Sequence, residues 1–142
     1  MHGGVLDHFA NLGGIDLCFG PLVRRECMSI SGYLDKLISE DPSRLVDDSK
    51  LPASIFIGLQ SKYALGPGET ECLAIATHAG CNVSCDDRLA RAMIEHELGK
   101  ARLTGTIGLL KQLVDTCILT GRQVAEAHAK MIAHGAFLPS WP

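Results

Sequence analysis

At 142 residues the chain is long enough to bury one substantial core and short enough to make one domain, residues 1–142. Hydrophobic residues make up 46% and charged residues 20%, and no apolar run approaches the roughly 18 residues that argue for a membrane-spanning helix, which excludes a helical membrane protein. A formal net charge of −3 gives no global basic field, so contact with a polyanion would depend on local patches of Arg and Lys.

In chain order, Val5 to Leu12 reads as a short helix closed by Gly13-Gly14. Ile15 to Phe19 alternates like a strand, and Gly20-Pro21 turns the chain into a helix that carries Glu26, with Arg24 and Arg25 beside it. Glu26 shares part of a helix face with Val23 and can lean towards a sheet edge. Tyr33 to Ile38 has helical spacing until Asp41-Pro42 breaks it; Ser54 to Ile57 reads equally as a strand or as part of a helix through Leu59. Gly66-Pro67-Gly68 then opens an alanine-rich helix, Glu69 to Ala79, stopped by Gly80. Cys81 to Cys85 is a short run of strand length that ends on Asp86 and Asp87, and Arg88 to Leu98 is an amphipathic helix stopped by Gly99. A short strand, Ala101 to Thr104, leads into Gly105-Thr106-Ile107-Gly108. Two further helices, Ile107 to Ile118 and Gln123 to His134, form a hairpin, and the tail is expected to pack back through Trp141.

An acid at a helix start followed by a strand that ends on acids gathers carboxylates at the carboxyl edge of an α/β sheet, where such folds place their sites. Carboxylates held close repel one another unless a cation lies between them, and hard oxygen donors suit Mg²⁺ or Mn²⁺. The same acids serve equally well as helix caps, since the helix dipole favours negative charge in a first turn. Arg24, Arg25, Arg88 and Arg91 flank the acidic motifs, as a site fed with a polyanion would need. The glycines around Thr106 suit either a phosphate at a helix start or a tight turn packed on the sheet. Six cysteines without a C-x-x-C pair read as reduced, buried thiols, and the absence of a signal peptide adds a cytoplasmic expectation.

Three segments in order, LGPGETECLAIA, VSCDDRLAR and LTGTIGLL, resemble the PIN-domain nucleases, in particular a subgroup with a GT-x-G-x-L helix start and a C-terminal helical hairpin (residues 105–142 with the tail). The likeness runs from Leu65 to Pro142. It implies an α/β fold of three layers, a short mainly parallel sheet flanked by helices. It also implies a ribonuclease dependent on Mg²⁺ or Mn²⁺, the toxin of a toxin–antitoxin pair, with RNA as substrate and an antitoxin protein or a second copy as partner. Carried over by position, Glu26, Glu69 and Asp87 are the catalytic acids, and Glu26, Glu69, Asp86 and Asp87 the metal ligands. Glu71 is the alternate acid, two residues from Glu69. Arg24, Arg25, Arg88 and Arg91 would bind substrate. The family's first strand and its Asp have no clear counterpart: His2 falls where that Asp belongs, which implies a first strand missing or truncated and weakened activity. The alternative is a catalytically inactive PIN-like binding protein that keeps the fold and a protein partner.

Overall fold

A computed structural model of the chain describes residues 4–142. His2 lies outside the described residues, so the comparison with the family's first Asp ends there. Among the described residues the fold is mixed α/β, with eight α-helices and a parallel sheet of two short strands. In chain order these are α1 (Leu6–Ala10), α2 (Pro21–Glu26), α3 (Ser31–Glu40), α4 (Ala53–Lys62), α5 (Pro67–Ala79), β1 (Val83–Ser84), α6 (Arg88–Leu98), β2 (Leu103–Thr104), α7 (Thr106–Asp115) and α8 (Gly121–Ala133). They divide between two compact units, the first Met1–Leu17, Ser84–Asp86 and Thr104–Pro142, the second Cys18–Val83 and Asp87–Leu103.

The first unit is built on α1, α7 and α8. Val5, Leu12, Leu110, Leu113, Val124 and Ala127 form its core, with Phe9, Ile107, Met131 and Trp141 packed against them. Leu110 with Leu113, and Val124 with Ala127, stand three apart, the spacing that stacks side chains on one helix face. Thr120 caps α8 by accepting from Gln123 N–H. The tail returns as the sequence predicts: the buried His128 ring bonds the Pro139 carbonyl at 2.8 Å, and Trp141 lies beside that ring.

The second unit is organised around α5, which packs against α2, α4 and α6. Its first three turns bury Gly68, Thr70, Glu71, Leu73, Ala74, Ile75 and Ala76. The small residues among them let three neighbouring helices approach one short rod closely. α5 stops where Gly80 takes a left-handed φ of +74°. The Arg102 guanidinium then bonds the carbonyls of Ala76, at 2.7 Å, and Cys81, a cation at the negative end of the helix.

Among the described residues one expected strand is absent, and one open choice between strand and helix resolves to helix. From Ile15 to Phe19 burial does alternate, but the segment forms no named strand: Phe19 makes an isolated parallel bridge to Leu45. Ser54 to Ile57 is helical: Ile55, Phe56 and Leu59 turn inward together at helical spacing, while Ile57 is exposed. The cysteines are expected to be buried, but none is fully buried, and Cys18 and Cys117 are exposed. Cys18 falls on the outward phase of the Ile15–Phe19 alternation, which is why it misses the core.

Candidate active site: carboxylates at helix starts

Helices α2 and α5 both begin with Gly-Pro, and the glycine N-caps, Gly20 and Gly66, have no side chain with which to cap their own helix. The first amides of each helix receive a carboxylate from the other. Glu71 of α5, 2% exposed, accepts from Leu22 N–H and Val23 N–H at 3.0 Å each, at the start of α2. In return Glu26, the last residue of α2, accepts from Gly68 N–H at 3.1 Å, at the start of α5. Hydrogen bonds to a charged group contribute roughly 1.5–3 kcal/mol each, and the positive end of each helix dipole adds to them.

This exchange requires glycine at two positions. A Cβ on Gly20 would stand 2.1 Å from the carboxyl carbon of Glu71, and a Cβ on Gly68 would stand 2.4 Å from Oε2 of Glu26. Neither separation is sterically possible, so both sites exclude any other residue unless a carboxylate moves aside.

The remaining predicted acids divide between the two units. Glu69, half-buried, turns back on its own helix, Oε2 accepting from Gly66 N–H at 2.9 Å. It therefore caps α5 locally, whereas Glu71 reaches across to α2. In the second unit Asp87 is the N-cap of α6, accepting from Ala90 N–H at 2.8 Å. In the first unit Asp86 accepts from Thr106 N–H at 2.9 Å and from the Thr106 hydroxyl, so its carboxylate occupies the start of α7. The phosphate expected as one use of the Gly105-Thr106-Ile107-Gly108 turn would meet a carboxylate already there. Among the predicted substrate-binding cations, Arg24 is paired with Asp35 through its Nε at 2.9 Å, while Arg25 and Arg88 are exposed and Arg91 half-buried.

A cluster that the sequence reading did not single out lies elsewhere in the second unit. Glu97 accepts from Lys62 Nζ and from the Tyr63 hydroxyl, both at 2.6 Å, and the same hydroxyl lies 2.8 Å from His96 Nδ1. Hydrogen bonds from Lys62 and then Tyr63 hold the Glu97 carboxyl below its ordinary range. Burial, with the Glu26 carboxylate adding to it, pushes the Cys27 thiol up, so this cysteine is protonated and poorly nucleophilic.

Residues 28–141 match the family model described as PIN domain. The chain belongs to the PIN-domain family. No curated protein and no solved structure matches it. A PIN domain carries nuclease-type chemistry and generally uses a divalent metal. The match spans Glu69, Glu71, Asp86, Asp87 and the GT-x-G turn and begins just after Glu26. Among the described residues no three His, Cys, Asp or Glu side chains converge as a metal cage. That arrangement is wrong for a structural zinc, which needs four close protein ligands. It is compatible with Mg²⁺, which keeps several waters and takes only one or two carboxylates besides substrate phosphates. Carboxylate oxygens such as those of Glu26, Glu69, Glu71, Asp86 and Asp87 are the hard donors that such an ion takes.

Proposed function

We propose that the chain is a ribonuclease that hydrolyses RNA phosphodiester bonds with Mg²⁺ or Mn²⁺, and that it is the toxin of a toxin–antitoxin pair acting in the cytoplasm. The candidate ligands are Glu26, Glu69, Glu71 and Asp87 in the second unit and Asp86 in the first. The bound ion would supply a water of lowered pKa and a counter-charge for the scissile phosphate. The observation that carries this reading is Glu71: an acid only 2% exposed on the central helix, with its carboxyl against Gly20. Buried acids are rare because desolvation is costly, and a helix cap alone is normally supplied by Ser, Thr, Asn or Asp at the N-cap itself.

Glu71 is buried and oriented by two helix amides, so its carboxylate plane is set before any ion or substrate arrives. This removes reorganisation from the reaction, the usual source of electrostatic catalysis. Arg25 and Arg88, exposed beside the acidic motifs, suit contact with the phosphates of the chain being cut.

A second reading, an inactive PIN-like binding protein, is favoured by one observation: Glu26, Glu69, Glu71, Asp86 and Asp87 each accept a backbone N–H at a helix start. One assay separates the two. Single-stranded RNA labelled at both ends is incubated with the purified protein and Mn²⁺, beside Glu71→Gln and Asp87→Asn variants and an EDTA control. Metal-dependent cleavage that falls about 100-fold or more in either variant supports the nuclease, in line with the loss of one catalytic electrostatic group. Binding of RNA or protein without cleavage by any form supports the second reading.

A further inference from the structure

We infer that Thr106 is a positioning residue, whose hydroxyl sets the orientation of the Asp86 carboxylate for a metal ion. The inference rests on the nuclease reading, in which Asp86 is one of the ligands. Both oxygens of Asp86 are tied to this one residue: Oδ1 accepts the backbone N–H at 2.9 Å and Oδ2 accepts the hydroxyl. Turning the carboxylate about its own axis would break both bonds together. Each oxygen keeps a further lone pair for another partner.

The surrounding motif is shaped for this clamp. Thr106 is the first residue of α7, so its N–H has no carbonyl partner within the helix. Gly108 leaves room for Thr104: a Cβ there would stand 2.3 Å from the Thr104 hydroxyl oxygen. The turn Gly105 to Gly108 therefore joins the end of β2 to α7 closely enough for Thr106 to reach the acid that follows β1. Asp87, the next residue, is held differently, through an amide of α6. The Thr106 hydroxyl and amide thus support Asp86, and the Ala90 amide supports Asp87.

Hydrogen-bond partners behind a metal ligand fix its direction, and losing one typically weakens metal affinity about 10-fold or more. The test uses Mn²⁺ alone, titrated into metal-free protein and followed by the loss of the free-ion electron paramagnetic resonance signal. Wild type is compared with Thr106→Val, which keeps the branched shape and the N–H but not the hydroxyl, with Thr106→Ser, which keeps the hydroxyl, and with Asp86→Asn. Melting of each in EDTA is recorded in parallel. The expected result is affinity about 10-fold weaker for Thr106→Val and near wild type for Thr106→Ser. Wild-type affinity in Thr106→Val, with weakened binding in Asp86→Asn, overturns the clamp and leaves the nuclease reading standing. A lower melting temperature in Thr106→Val without weaker binding assigns the hydroxyl to helix capping alone and likewise overturns the clamp. Failure of the wild-type protein itself to bind Mn²⁺ overturns both.

Discussion

Replacing Glu71 with Gln changes one atom and isolates what its charge does. In the native protein the buried carboxylate accepts from two amides at the start of α2, Leu22 N–H and Val23 N–H. Glutamine keeps one acceptor oxygen, but its NH₂ has only hydrogens to offer the second amide. One charge-assisted bond is lost, worth roughly 1.5–3 kcal/mol, together with a favourable helix-dipole interaction of about 0.5–1 kcal/mol. The expected cost is about 2–4 kcal/mol, a fall in melting temperature of roughly 4–12 °C for a chain of this size. Glu69→Gln is the matched control. It sits two residues away on the same helix, half-buried, and meets only its own Gly66 N–H, so it should cost no more than about 1 kcal/mol. Urea and thermal unfolding of both variants in EDTA, followed by far-ultraviolet circular dichroism, measure the difference without any metal contribution. Equal losses for the two variants, or a larger loss for Glu69→Gln, would refute the reciprocal capping of α2 and α5.

The glycines should separate in the same assay. Gly20→Ala, pressed against the buried end of Glu71, should cost about 2–3 kcal/mol of overpacking, whereas Gly68→Ala, opposite the exposed Glu26, should cost about 1 kcal/mol because that side chain can swing outward. Reversed magnitudes would mean that Glu71 is the more mobile acid. Glu97 titrates lower in the folded protein than its ordinary value of 4.5, so the folded state binds fewer protons and stability rises with pH through the region just below that value. Its contribution is complete above about pH 4.5 and lost as the pH falls through the folded value; urea midpoints should show a shallower acid decline in Glu97→Gln than in wild type. With a chromogenic disulfide reagent the exposed Cys18 and Cys117 should react first and Cys27 slowly; rapid reaction of Cys27 would contradict its raised thiol.

Helices bounded by hard punctuation were legible in the sequence almost to the residue. α5 lies between Gly66-Pro67 and Gly80, and α6 between the Asp87 cap and Gly99, because both ends of each are decided by residues within a turn of the boundary. The strands were less legible. Ile15 to Phe19 carries a real alternation, but a ladder also needs a neighbouring strand, and the described pairing is an isolated bridge from Phe19 to Leu45, 26 residues away. Ser54 to Ile57 has β-branched residues on a helix because burial of Ile55, Phe56 and Leu59 together outweighs a propensity difference of a few tenths of a kcal/mol per residue.

The choice between Glu69 and Glu71 shows the deeper limit. Two residues apart on a helix stand about 200° apart around the axis, so one faces away from what the other meets. Periodicity decides such a question when a helix has one apolar stripe, but α5 is buried on most of its circumference and has none to offer. What sets the two apart in the fold is the start of α2, some 48–49 residues earlier in the chain, where two amides lack a side-chain cap and a glycine leaves space for a carboxylate. Gly20 and Glu71 are therefore one feature written in two places. Neither residue is unusual in its own neighbourhood: Gly20 reads as a turn and Glu71 as a polar residue on a short helix. Only the packing of α2 on α5 turns the pair into a rigidly held acid, and the same packing returns Glu26 to Gly68. The positive ends of two helices thus offset carboxylates that would otherwise repel one another. This explains how the fold can concentrate acids on its central helix.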